Sequence, residues 1–585
     1  MKHFFYLFTF LIFTSFSDPV TPKPVINYPK GYFQPPVAHA MSLSGSFGEL
    51  RANHFHSGID ISPGIKLSNE PIYAAAEGYV SRISVRGGGY GQALYIAHPN
   101  GYTTLYAHLE KYNFTIDTFL KRKQYESESF EQEIVLQPNE LPILRGQEIG
   151  LMGNKGHSFG QHLHFEIRDT KTDNALNPLL FGFPVADYTP PTMRSLKVYF
   201  LNEKKEIIDN KTIEVIKKGG NYAVLGDTVF TPASPESTQP TYIAFGLKTY
   251  DKMEGKSGDN GIFTLDLKQN DSLRFTFKAE TISFSETRYL NAHLDYQAEV
   301  NNQGFYHRAF VLPGNKLSMY ENVVNDGVIP INSGANKISL ISTDAASNTS
   351  VLEFYLSPKN FLIAAKPKNY NYILPFNEPS IIQENGVKFF FPKGCFYTNT
   401  YLNFAPITEG YNYGTYSSTF NIGNSTIPLH YMMTVSVKPE NLPDSLREKA
   451  FVAYCPRENG MAYNSGGTWG EDGSLTCKSN RFGSYCIMVD AVPPSITPVR
   501  FQYDMRKFSK MSFKIKDNFE SSGNAEGLKY RATVDDQWIL MELDDKNDLI
   551  YYQFDDRVSE GEHSLKIEVT DSKKNTRQYE SKFKR

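Results

Sequence analysis

The stretch GQHLHFEIR, residues 160–168, sets two of the chain's 13 histidines two positions apart among Leu, Phe and Ile. Alternate side chains of a β-strand share a face. His162, His164 and Glu166 then line one face, and Leu163, Phe165 and Ile167 line the other. The apolar face suits a core. The polar face holds two imidazoles roughly 6–7 Å apart at Cα, close enough for one to bind a metal ion while the other handles a proton. The reading is therefore a β-sheet with chemistry on one side.

The bulk of the chain agrees with a β protein. It has 585 residues, enough for several domains, with 40% hydrophobic and 21% charged residues, as in ordinary globular proteins. Tyr and Phe are abundant, and long Ala/Leu/Glu/Lys helical patterns are scarce. A net charge of -3 argues against a nucleic-acid partner, which calls for a strong basic balance.

The N-terminus, MKHFFYLFTFLIFTSFSDP, has a basic Lys2, an apolar run from Phe4 to Phe13, and small residues at Ser15 and Ser17. This is the pattern of a secretory signal peptide over residues 1–17. The run is short for a membrane anchor, and no cysteine follows it to carry a lipid. No later segment is long and apolar enough to be transmembrane. The mature protein is expected to be exported and soluble, in the periplasm or cell envelope. All four cysteines (Cys395, Cys455, Cys477 and Cys486) lie in the C-terminal half, where disulfides and buried free thiols are both open readings. None has the close pairing of a zinc ribbon.

A repeat organises the rest. DYTPPTMRSLKVYF begins at Asp187 and DAVPPSITPVRFQY at Asp490. ISLISTDAASNTSVLEFYL carries Asp344 and Asn348, and LKIEVTDSKKNTRQYESKF carries Asp571 and Asn575. Each pair reads as a Pro-Pro entry, a strand, then an Asp-x-x-x-Asn turn between strands. Two immunoglobulin-like β-sandwiches over 187–360 and 490–585 explain it, with a further β-rich domain holding the cysteines over 361–489. Pro-Pro gives stiff joints. None of these modules has a dense set of catalytic residue types, so they are expected to be spacers or binding surfaces.

Residues 18–186 differ. His39, His54, His56, His98, His108, His157, His162 and His164 are all here. GYVSRISV, QALYIAH and YTTLYAHL read as successive strands, with HPNGY as a hairpin turn between the last two. NHFHSGIDIS supplies His56 and Asp60 at an even separation, facing the same way on an extended chain, with Ile59 and Ile61 turned away. Gly58 lets the backbone bend between them. Two His and one Asp, with one position left for water, is the composition of a catalytic zinc site; a structural zinc more often has four protein ligands, usually including Cys.

Three ordered blocks, HSGID, YAHL and GQEIGLMGNKGHSFGQHLHFEIR, flanked by PIYAAAEGYV and ALNPLLF, resemble the lysostaphin/LytM-type family of zinc metallopeptidases, which cut peptide bonds of bacterial cell-wall peptidoglycan. The resemblance covers roughly residues 40 to 185. It implies a lysostaphin-like antiparallel β-sheet domain in which His56, Asp60 and His164 bind Zn2+, His162 is catalytic, and His108 lies opposite it across the groove. With no His-Glu-x-x-His helix, a histidine must supply the base; the sequence leaves open whether that is His108 or His162. Glu166, on the same face, is read as an orienting group.

The other histidines have plainer readings: His98 structural beside its turn, His54 a neighbour of the site, His157 in a Gly-rich loop. GGGYG, residues 87–91, lacks the Lys-Ser/Thr pair and helix of a phosphate cradle and reads as a loop between strands. KRKQYESESFEQEIV, within residues 110 to 142, is a charged, partly helical insertion where the family has a short segment, and it can border the substrate groove. Two other functions fit the same fold: a non-catalytic regulator of another wall hydrolase, and a peptidase acting on proteins. The complete His/Asp set speaks against the regulator. The C-terminal modules are expected to position the enzyme by binding wall polymer or an envelope protein.

Overall fold

The computed structural model describes residues 27–64, 70–232, 241–254, 258–331, 336–359, 369–404, 406–407, 414–456 and 461–585. The signal-peptide segment, residues 1–17, lies outside them. The chain is mainly β, and among the described residues no helix is long and apolar enough to cross a membrane.

The histidine-bearing region is built on one antiparallel sheet. Its strands run in the order Leu43–Gly45, Ile59–Ile61, Leu163–Asp169, Tyr102–Ala107, Gln92–Ala97, Gly78–Val85 and Gln132–Val135. The strand carrying His164 is thus central. Period-two alternation sends Leu163, Phe165 and Ile167 into a core with Ile59, Ile61 and Tyr106. The other face is not open to water: His164, Glu166 and Arg168 are buried too. HPNGY closes the hairpin between Gln92–Ala97 and Tyr102–Ala107, with Gly101 in the left-handed region at φ 84°.

The insertion forms the helix Phe114–Ser127, capped by Asn113, whose side chain accepts from the Ile116 N–H. Ile116 and Leu120 pack into the domain core. Tyr125 packs edge-on against Trp538 and under the Arg557 guanidinium, so the insertion lies at a seam with the C-terminal module.

After Asp187 come three further β-rich bodies. Residues 192–359 contribute to an 11-stranded sheet, antiparallel except where Asn221–Pro232 runs parallel to Thr349–Lys359. Next, two five-stranded sheets enclose Phe389, Val435, Tyr485 and Ile487. All four cysteines are buried free thiols there; Cys455 Sγ and Cys486 Sγ are 3.9 Å apart on neighbouring strands. Finally, two four-stranded sheets enclose Phe513, Ile550, Ile567 and Phe583.

Packing crosses the boundaries between these bodies. Phe47, Leu50 and Phe55 belong to the core that also holds Phe275 and Phe277, and Ala175–Leu176 pairs with Thr281–Ile282. The last module folds back on the first. Lys155 Nζ donates to Glu542 Oε2 (2.6 Å) and to the Tyr551 hydroxyl (2.7 Å), and Lys546 Nζ donates to the carbonyls of Asn154 (2.5 Å) and Ser158 (3.2 Å). Gly87 lets Leu543 approach: a Cβ there would sit 2.6 Å from the leucine side chain.

Candidate active site

Register assembles the site. On the central strand His164 lies opposite Asp60 on one side and Ala107, the residue before His108, on the other. His56 enters from the loop before Ile59–Ile61. His56 Nε2, Asp60 Oδ1 and His164 Nδ1 lie 3.0, 3.0 and 2.9 Å from one another.

The outer atoms decide the tautomers. His56 Nδ1 is 2.8 Å from the Ser46 carbonyl, which can only accept, so Nδ1 carries the proton and Nε2 the lone pair. His164 Nε2 is 2.8 Å from Glu166 Oε1, so Nε2 carries the proton and Nδ1 points a lone pair inward. Three acceptors therefore converge on one buried point, an arrangement that requires a proton or a cation. Without metal a proton serves. Burial lowers the His164 pKa, but hydrogen bonds to Asp60 and Glu166 outweigh it and raise it to about 9. Burial alone would raise the Asp60 pKa; His56 and His164 hold it well below the usual range. Burial lowers His56 to about 4, against the pull of Asp60. Two nitrogens and a carboxylate oxygen, whose shared inner proton a metal ion would displace, fit a zinc ion.

Buried polar groups fix this set from behind. Arg51 Nη2 donates to the outer oxygen of Asp60 at 2.6 Å. Glu166, fully buried, accepts from Ser57 Oγ (2.7 Å), the Tyr90 hydroxyl (2.6 Å) and Arg168 Nε (2.7 Å) as well as from His164. The carboxylate–histidine arrangement orients a metal ligand.

His108 and His162 complete the cluster, with ring centroids 4.9 Å apart and His108 5.9 Å from His164. His108 Nδ1 donates to the Lys155 carbonyl (2.8 Å) and His162 Nδ1 to the Gly160 carbonyl (2.9 Å). Each leaves Nε2 as an acceptor, and His162 Nε2 lies 3.5 Å from Asp60 Oδ1. Burial, with His164 and His162 adding to it, lowers the His108 pKa to about 3; burial also lowers that of His162, against Asp60. Both rings are neutral near pH 7. His108 holds φ at 60°, a left-handed conformation disfavoured for a residue with a Cβ and typical of functional positions.

The remaining histidines stand apart. His98 is buried between the Glu77 carbonyl and Thr104. His54 bonds the Ala52 carbonyl at the surface, and His157 is exposed beside Asp545. Sequence reasoning did not single out Arg51, Ser57, Tyr90, Arg168 or Lys155. Tyr90 sits in the GGGYG loop, where a bulky residue among glycines was the available signal. Ser57 and Lys155 have partners distant in the chain, and Arg51 and Arg168 bond near neighbours that no motif pairs them with.

A buried His/Asp/His trio flanked by two neutral imidazoles on an antiparallel sheet is a donor set able to hold a metal ion beside two proton acceptors. Residues 54–127 match the family model Peptidase family M23, and this part of the chain is an M23 peptidase domain. The matched segment contains His56, Asp60 and His108; the His162/His164 pair follows it. Residues 371–490 match the Zu5-like domain. Among curated relatives, the DD-carboxypeptidase/endopeptidase Mpg of Neisseria meningitidis serogroup B is 30% identical over 181 residues, 31% of each chain. The peptidoglycan DD-endopeptidase ShyA of Vibrio cholerae is 28% identical over 179 residues, 29% of this chain and 34% of the relative. The chain thus spans about a third of the length of these relatives. The catalytic domain of lysostaphin from Staphylococcus simulans aligns at 22% identity and a TM-score of 0.17, over 23% of this chain and 87% of that one.

Proposed function

We propose that the protein is an exported zinc metalloendopeptidase that hydrolyses peptide bonds of peptidoglycan. The observation that carries this reading is the convergence of three acceptor atoms within 3.0 Å, beside two neutral imidazoles whose free nitrogens are both Nε2. The peptidoglycan-directed names of the distant relatives support the substrate, and the N-terminal residues 1–17 support export to the periplasm or cell envelope.

A bound zinc ion supplies a Lewis acid that polarises the scissile carbonyl and acidifies a water molecule. His56, Asp60 and His164 hold the ion, with Arg51 and Glu166 fixing two of them. His108 and His162 carry the protons. Both present an acceptor, so either can take the proton of the attacking water. The ring that takes it becomes a donor at Nε2, able to bond the developing oxyanion and then to protonate the leaving amine. Base and acid roles therefore follow one another on the same nitrogen. The modules after residue 187 position the domain on wall polymer or an envelope protein.

The test is digestion of purified sacculi by the zinc-loaded mature protein, with mass spectrometry of the released muropeptides and a protein substrate in parallel. Cleaved peptide cross-links or stems support the reading. No release from sacculi or soluble fragments, with activation of a separate wall hydrolase, would make it a regulator; cleavage of the protein substrate alone would make it a general peptidase.

A further inference from the structure

The repeated Asp-x-x-Pro-Pro joints gather a second kind of side-chain cluster, separate from the peptidase centre. Asp187, Asp251 and Asp344 each bring a carboxylate oxygen within 4.8 Å of the others; Asp490, Asp517 and Asp571 do the same. Each trio comes from the same three places: the Asp three residues before the Pro-Pro entry, the residue after a core strand (Tyr242–Tyr250 or Lys510–Lys516), and the Asp-x-x-x-Asn turn.

The wiring is duplicated as well. Asp187 Oδ1 accepts from the Thr189 N–H at 3.2 Å, and Asp490 Oδ1 from the Val492 N–H at 3.1 Å. Asn348 Nδ2 donates to the Asp187 carbonyl (3.2 Å) and to Asp344 Oδ2 (2.9 Å); Asn575 Nδ2 donates to the Asp490 carbonyl (3.0 Å) and to Asp571 Oδ2 (2.7 Å). These bonds hold the carboxylates in place without neutralising them. The lysines beside the second trio spend their hydrogen bonds on carbonyls, Lys449 Nζ on that of Lys573 and Lys573 Nζ on that of Ala450, and act on Asp490 and Asp571 only through space.

In each trio one carboxylate that is 1% exposed keeps an oxygen with no hydrogen-bond partner, Oδ1 of Asp251 and Oδ2 of Asp490. An orphaned buried acceptor costs about 1–3 kcal/mol, more when charged. Asn260, paired with Asp251 across an antiparallel bridge and so projecting on the same face, also has its amide oxygen and amide nitrogen buried without partners. Burial first, and then the neighbouring carboxylates, push Asp251 up to about 8 and Asp517 up to about 6, a measure of how badly the trios accommodate their own charge.

We infer that each trio binds a hard divalent cation of the calcium type, clamping the Pro-Pro entry of its module to two turns of the same β body. The donors are all oxygen, which suits Ca2+ and not the nitrogen-ligated ion of the peptidase centre. A bound cation turns mutual repulsion into shared coordination and stiffens the joint before each module.

The experiment is titration of calcium chloride into the zinc-loaded full-length protein by calorimetry, with thermal melts in the same buffers. Two calcium ions per chain and a rise in Tm are expected. Asp251→Asn and Asp517→Asn should each remove one ion. The variants also give opposite signs. If no cation binds, Asn relieves crowding and raises Tm whether or not calcium is present; if one binds, Asn lowers Tm below wild type in calcium. Should a variant fail to fold, the wild-type stoichiometry decides. A wild-type chain that takes up no calcium and melts identically with and without it overturns the inference, as does uptake of magnesium chloride but not calcium.

Discussion

Glu166→Gln should weaken zinc binding while leaving the protein folded. Four donors meet this carboxylate: His164 Nε2, Ser57 Oγ, the Tyr90 hydroxyl and Arg168 Nε, at 2.6–2.8 Å. A carboxylate accepts all four. An amide of the same shape accepts on one side only, and its NH2 then faces a donor. If the amide oxygen stays with His164, Ser57 and Tyr90, the NH2 meets Arg168, which retains Asp173 at 3.1 Å. The fold therefore survives, but the His164 proton is no longer drawn to Nε2 by a full charge, and Nδ1 becomes a weaker ligand. Loss of such a partner reduces metal affinity by about 10–100-fold, or about 1.4–2.7 kcal/mol, within the range of one lost charge-assisted hydrogen bond. The assay is competition against a chromophoric chelator at pH 7, with circular dichroism to confirm folding. A folded variant that binds zinc as tightly as wild type would refute the argument that Glu166 sets the His164 tautomer.

Four further outcomes follow from the same geometry. His164→Ala should lose zinc and activity together, whereas His162→Ala should retain zinc and lose turnover; equal metal loss in both would sink the division of roles. The acid limb of kcat/KM, measured at constant zinc occupancy, should fall below the ordinary histidine value of about 6.5, because burial depresses His108 to about 3 and lowers His162, so the neutral base persists as pH drops; a limb at or above 6.5 contradicts this. Lys155→Met should leave Glu542 without its ammonium partner, costing about 2 kcal/mol of stability and lowering kcat with zinc retained, since the Lys155 carbonyl holds His108; unchanged Tm and kcat would show that the C-terminal contact does not reach the site. A chain ended after Phe183 should not give a soluble folded unit, because Phe47, Leu50 and Phe55 lose the core that covers them, at about 1.5–3 kcal/mol for each fully buried side chain; a cooperative melt near the full-length Tm would refute it.

Much of the site was legible from residue types at short spacing. His162 and His164 share a strand face by period alone, and His56 and Asp60 lie four residues apart on an extended stretch, so each pair is a local property of the chain. The mainly β character and the Asp-x-x-Pro-Pro repeat were equally local, written in alternation and turn residues. What the sequence could not contain is the register that sets His164 opposite Asp60, since strand order depends on which faces can be buried together. The same holds for the burial of Glu166 and Arg168. Alternation puts Glu166 on the polar face without saying what covers it; the Tyr90 loop and Ser57 close over Glu166 and Arg168 from distant parts of the chain. The seams were hidden for the same reason. Phe47 and Phe55 look like peptidase-domain core until the next β body covers them, and Lys155 looks like a loop lysine until Glu542 and Tyr551 fold back onto it. Local pattern determines which face a residue presents; only the packed chain decides what meets that face, because burial is a property of the whole surface left behind by every other element.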